Sequence, residues 1–91
     1  MNNPPTNTYV YILRCNDESL YTGWTTNLKR RLSEHSAGRG GRYTSIRRPV
    51  EMVFTEEHPT RSAAMQREAA IKRWVRSRKL ALIESDQKIL Y

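Results

Sequence analysis

Thr8-Tyr9-Val10-Tyr11-Ile12-Leu13-Arg14 and Leu20-Tyr21-Thr22-Gly23-Trp24 are the two stretches from which the fold is read. Both are dense in β-branched and aromatic residues, and the polar Asn16-Asp17-Glu18-Ser19 separates them, so they predict the two arms of a β-hairpin. Downstream, Thr25 and Thr26 are candidate N-caps of a helix carrying Leu28 and Leu32 as its apolar stripe and ending at Gly38. Gly38 to Ser45 has the glycine and hydroxyl content of a flexible, basic loop. Val50 to Thr55, after Pro49, suits a third strand. Thr60 then caps a longer helix in which Ala64, Ile71 and Val75 recur at helical spacing with Trp74 beside them, and Ser77 opens a last helix with Leu80, Leu82 and Ile83. The order β-β-α-β-α-α implies an α/β layer of the α+β type, its helices packed on an antiparallel sheet. Residues 8–83 form this single domain; 1–7, with Pro4 and Pro5, and 84–91 read as loose tails.

The chain has 91 residues, 37% of them hydrophobic, which is enough for one small core and too little for a large cofactor-binding fold. Any active site on so small a core is shallow. The start of the chain has no apolar export segment, and nowhere do 18 apolar residues run together, so the expectation is a cytoplasmic protein without a membrane partner. The single Cys15 cannot pair within the chain and reads as a core residue.

Sixteen Lys and Arg stand against nine Asp and Glu, a formal net charge of +7. The excess is segregated. Lys29, Arg30, Arg31, Arg39, Arg42, Arg47 and Arg48 face one acid, Glu34, within 29–48, and Arg67, Lys72, Arg73, Arg76, Arg78 and Lys79 face Glu68 in the last two helices. Taken alone, either cluster reads equally as a solvated helix face. With Gly residues, Tyr43, Thr44 and Ser45 interleaved as groups able to approach phosphates, the pair of clusters points to nucleic acid as the partner. Lys29, Arg30, Arg39, Arg42, Tyr43, Arg47, Arg48 and Lys72 are the candidate contact residues. Composition does not separate DNA from RNA.

Three further features bear on chemistry. Tyr11 and Tyr21 stand on opposite arms of the hairpin, so their hydroxyls fall within roughly 10 Å of each other in any short-turn register. Arg31 and His35, at i and i+4, share a helix face and can aim at one phosphate. Glu68 falls about 40° from Ala64 around its helix, within the core-facing stripe. A carboxylate there either pairs with Lys72 at i+4 or is held at the edge of the core to bind a cation.

Val10-Tyr11-Ile12, Tyr21-Thr22-Gly23, Arg31, His35 and Glu68, in that order and spacing, resemble the GIY-YIG nuclease family over about Thr8 to Ile83, above all its small stand-alone bacterial members. The resemblance implies a three-stranded antiparallel sheet flanked by helices and hydrolysis of nucleic-acid phosphodiesters with Mg2+ or Mn2+. DNA, branched or damaged as in repair, is the favoured substrate over RNA, with a protein partner as one source of specificity. It also implies that Tyr11 and Tyr21 activate or orient the attacking water, that Arg31 contacts the scissile phosphate, that His35 occupies a His-or-Tyr position, and that Glu68 binds the metal. Tyr9 stands where the first motif has Gly, Thr22 where the second has Ile, and Trp24 where repair nucleases often carry Lys. The last departure removes a phosphate contact, so a non-catalytic nucleic-acid-binding module is the alternative. The chemistry itself is coherent: a phosphodiester transition state gathers negative charge, which a guanidinium and a divalent cation complement.

Overall fold

The computed structural model describes residues 7–87. Three antiparallel strands, β1 (Thr8–Arg14), β2 (Leu20–Thr25) and β3 (Glu51–His58), form one sheet in the order β2-β1-β3. The hairpin is closed by a tight turn in which Cys15 N–H donates to Ser19 O and the Asp17 carboxylate accepts from Ser19 N–H. The four helices are α1 (Leu28–Ser36), α2 (Arg42–Ser45), α3 (Arg61–Lys72) and α4 (Arg76–Gln87). The predicted order β-β-α-β-α-α holds, with the single turn α2 added inside the loop that follows α1. The sheet is the antiparallel three-stranded one that the resemblance implies.

Alternation along the strands divides the work between the two faces of the sheet. Val10 and Ile12 on β1, with Phe54 on β3, meet Ala64 and Ile71 of α3 and Ile83 of α4 in the core, and Trp24, Trp74 and Leu82 pack against its rim. The guanidiniums of Arg67 and Arg78 lie 5.2 Å and 3.9 Å from the Trp74 ring centre. Tyr11 and Tyr21 lie on the other face: Tyr11 pairs with Gly23, and Tyr21 pairs with Leu13. Cys15 is buried, as expected of a core residue.

Several boundaries differ from expectation for local reasons. Asn27, not Thr25 or Thr26, caps α1, its side chain accepting from Arg30 N–H; Thr25 is still part of β2, and its hydroxyl accepts from Asn27 N–H. Leu28 and Leu32 are only half-buried, and the one fully buried residue of α1 is His35. β3 runs on to His58, where Thr8 Oγ1 reaches the carbonyls of His58 and Thr60. Thr60 caps α3 as predicted, accepting from Ala63 N–H. Helical spacing puts Val75 in the core, but it is 68% exposed, because α3 stops at Lys72 and the helical count does not carry beyond its end. α4 begins at Arg76 and stays helical to Gln87, past the expected boundary at Ile83. The rest of the two expected tails, 1–6 and 88–91, lies outside the described residues.

Thr22, in place of the Ile of the family motif, is 2% exposed opposite Ile12, and its hydroxyl has no partner among the described residues. A buried hydroxyl without a hydrogen bond is costly, and Val has the same shape without it. Thr22→Val is therefore expected to stabilise the fold by about 1 kcal/mol, seen as a higher urea midpoint at unchanged slope. A lower midpoint would show that the hydroxyl is bonded.

Candidate active site

Tyr11 occupies the centre of β1, and its ring crosses over Gly23 toward the β2 edge. A Cβ at position 23 would stand 2.5 Å from the Tyr11 hydroxyl oxygen and 2.6 Å from Cζ, so only glycine leaves room for the crossing. At the far side of Gly23 the hydroxyl lies 2.9 Å from His35 Nε2 and accepts from Arg31 Nε–H at 3.3 Å. Both partners come from α1, one turn apart, which is why the i, i+4 spacing brings them to one oxygen.

Each partner is itself held. Arg31 donates from Nη1 to Glu34 Oε1 at 2.8 Å and from Nη2 to the carbonyl of Gly40 at 2.8 Å. A guanidinium carries five N–H groups, so two remain for a ligand. His35 Nδ1 lies 2.7 Å from Thr44 Oγ1. Gly40 packs so closely on this ring that a Cβ there would collide with Nδ1 and come within 2.8 Å of His35 Cα. α2 thus has a purpose the loop reading missed: it turns Thr44 inward onto His35, fully buried, and Thr44 is no phosphate contact. Nothing in the sequence separates Thr44 from its hydroxyl neighbour Ser45.

Aromatic rings extend the set outward. The Tyr21 ring is 6.4 Å from that of Tyr11 and edge-on to His35 at 5.3 Å, and Tyr43 stacks on Tyr21 at 5.9 Å. Arg47 covers Tyr43 at 3.8 Å while binding Asp17, and Lys72 lies 6.0 Å from the Tyr21 centroid. Glu68, its side chain 19% exposed, pairs with Lys72 at 3.3 Å, and its charge is felt at the Tyr11 phenol. Tyr11, Tyr21, Arg31, His35, Tyr43, Glu68 and Lys72 therefore belong to one neighbourhood. Arg48 is tied to the carbonyls of Ser45 and Ser36, and Arg30 lies 3.8 Å from Glu34. Lys29, Arg39 and Arg42 are exposed and make no ion pair among the described residues.

The electrostatics follow from burial. Desolvation raises the Tyr11 pKa above its usual 10.0 despite the opposing Arg31 hydrogen bond, so the phenol is protonated at neutral pH. Burial, and next the charge of Arg31, hold His35 below 6.5, so its ring is neutral there. The Arg31 hydrogen bond keeps Glu34 ionised, below the usual carboxylate value. Among the described residues no three His, Cys, Asp or Glu side chains converge, and no helix is long and apolar enough to cross a membrane.

A buried tyrosine hydrogen-bonded to an arginine and a histidine on one face of a three-stranded antiparallel sheet, with a second tyrosine against it and a helix carboxylate nearby, defines a small α+β domain with a polar cluster at the edge of its core. The family model of the GIY-YIG catalytic domain matches residues 7–81, and the chain belongs to that family, whose activity is of nuclease type on nucleic acid and typically dependent on a divalent metal. It is similar to a UPF0213 protein of Natronomonas pharaonis, 54% identical over 78 residues that cover 86% of this chain and 92% of that one. A UPF0213 protein of Staphylococcus haemolyticus is 51% identical over 76 residues, covering 84% and 93%. Among solved structures, the solution NMR structure of a UPF0213 protein from Bacillus halodurans is 42% identical, with TM-score 0.57 over 86% of this chain and 83% of that one. A second NMR structure, of an E. faecalis protein, is 40% identical, with TM-score 0.62 over 96% and 92%.

Proposed function

We propose that this protein is a metal-dependent endonuclease, with DNA favoured over RNA, whose reaction centres on the Tyr11 hydroxyl. The observation that carries this reading is the placement of that buried hydroxyl between Arg31 and His35.

Arg31 Nε–H can only donate, so the Tyr11 oxygen accepts there, leaving the phenolic O–H to donate to His35 Nε2. His35 then carries its own proton on Nδ1 and donates to Thr44 Oγ1. In this assignment a neutral imidazole stands ready to take the phenol's proton as the phenol takes one from the attacking water. Arg31 favours the phenolate that passes through this step, which answers the problem of a phenol too weakly acidic to act alone. The two unused N–H groups of Arg31 bind the scissile phosphate and meet the charge that builds on its oxygens. Tyr21, packed against both Tyr11 and His35, orients the water and excludes bulk solvent.

The donor chemistry fits a hard divalent ion. Glu68 is a half-buried carboxylate whose charge acts on the Tyr11 phenol, and one carboxylate plus substrate phosphate and water is a set that Mg2+ or Mn2+ accepts. When bound, such an ion supplies Lewis-acid stabilisation of the phosphoryl oxygens. The alternative, a module that binds without cutting, draws on one observation: Lys72 already neutralises Glu68.

Incubating the protein with single-stranded, duplex, flap and four-way-junction DNA and with structured RNA, with and without Mg2+ or Mn2+, tests the reading. Cleavage of DNA that requires the ion is the expected result. Binding to these substrates with none cut under either ion would overturn it in favour of the module.

A further inference from the structure

Arg31 is shared between the Tyr11 site and an open groove of about 360 Å3, lined by Trp24, Thr26, Arg30, Arg31, Glu34 and Arg61. These residues come from the end of β2, the connection after it, α1 and the start of α3. Three guanidiniums meet there against one carboxylate, and that carboxylate is already engaged by Arg31 at 2.8 Å and Arg30 at 3.8 Å. Arg61 is exposed and in no ion pair among the described residues, so its charge is available to an anion. Trp24 is partly buried against the core and is also one of the residues that line the groove. The volume suits a ligand of about one nucleotide, near the lower end of small-molecule sites.

Cationic side chains beside an aromatic ring are the pairing that holds single-stranded nucleic acid, with the phosphate on the guanidinium and the base stacked on the ring. Inside a duplex the faces of a base are covered by its neighbours, so Trp24 can be used only by a nucleotide that is unpaired or splayed out. We propose that this groove holds an unpaired nucleotide adjoining the phosphodiester at Tyr11, its base on Trp24 and its phosphate on Arg30 and Arg61. The inference takes the reaction site from the nuclease reading and adds the substrate class: strands with an unpaired nucleotide beside the bond to be cut. The absence of a basic residue at position 24 then has a reason, since an aromatic ring reads an unpaired base where a lysine would meet a phosphate.

The test is fluorescence anisotropy in EDTA, so that nothing is cut, with a fluorescein-labelled DNA hairpin carrying or lacking a short single-stranded tail. Wild-type protein is expected to bind the tailed hairpin about tenfold more tightly, as stacking of one base allows. Trp24→Leu removes that preference. Arg61→Ala weakens binding of the tailed hairpin about fivefold and lowers the slope of log affinity against log salt by about one. Arg61 is exposed, so this variant carries the test if Trp24→Leu does not fold. Equal affinity for the two hairpins in the wild type, or an Arg61→Ala protein that binds the tail as the wild type does, overturns the groove. Cleavage measured separately with Mg2+ keeps the two readings apart: a tail preference without cleavage removes the nuclease reading and leaves the groove, and cleavage without a tail preference does the reverse.

Discussion

Glu68→Gln is expected to reduce DNA cleavage about a thousandfold or more while leaving metal-free DNA binding and the fold intact. Gln keeps the length and hydrogen-bonding capacity of Glu at a position where the side chain is 19% exposed, so packing on α3 changes little. What it removes is a carboxylate whose charge acts on the Tyr11 phenol and which, in the proposed reaction, holds the metal. An amide oxygen is a much weaker ligand for a hard divalent ion, and the Lewis-acid stabilisation worth several kcal/mol goes with it. The competing role, an ion pair with Lys72, predicts something different. A pair whose lysine is half exposed contributes about 0.3–0.5 kcal/mol, so losing it would leave cleavage almost unaltered. The assay is a single-turnover rate at saturating Mg2+, alongside anisotropy in EDTA. A variant that cuts at the wild-type rate defeats the metal-binding role.

Gly23→Ala is expected to lower the cleavage rate by about a hundredfold or more, because a shift of about 1 Å at a reacting group costs that much. The added methyl would meet the Tyr11 ring at the hydroxyl and Cζ, and the ring has to move away from the β2 edge to avoid it. Tyr11 then loses the hydrogen bonds to His35 and Arg31 together. Because Tyr11 is 1% exposed, the displacement also strains the interior, at about 1–3 kcal/mol of stability. Stability from urea denaturation and the cleavage rate of the protein that remains folded are measured separately. Wild-type activity in Gly23→Ala would mean that the placement of Tyr11 over position 23 is not what the reaction uses.

The parts of this site that could be read from the chain are those governed by short-range geometry. Tyr11 and Tyr21 were expected to be neighbours because a hairpin leaves few registers, and Arg31 and His35 because four residues make one helical turn. Glu68 stands out because a charge at that helical angle conflicts with the apolar residues around it, and of its two expected roles the structure shows the ion pair with Lys72. Where local rules offered several equivalent answers, the expectation went wrong. Asn27, Thr25 and Thr26 are all acceptable caps, and only the length of β2 selects among them. Val75 fits the stripe of α3 by count, but the helix ends before reaching it.

The order of the three strands and of α1, α3 and α4, the segregation of charge and the residues that carry the family motif are legible along the chain, because each is set by composition or by spacing along one strand or helix. That Gly23 is the gap through which Tyr11 reaches α1, that Gly40 is the gap that admits His35, and that Thr44 points inward emerge from packing in three dimensions. Packing alone brings Trp24, Arg30 and Arg61 to one groove from three separated segments. A missing Cβ matters only when another side chain fills its place, and a groove exists only between elements that have already packed. Both depend on how separate elements and loops pack on one another, which spacing along one strand or helix does not encode.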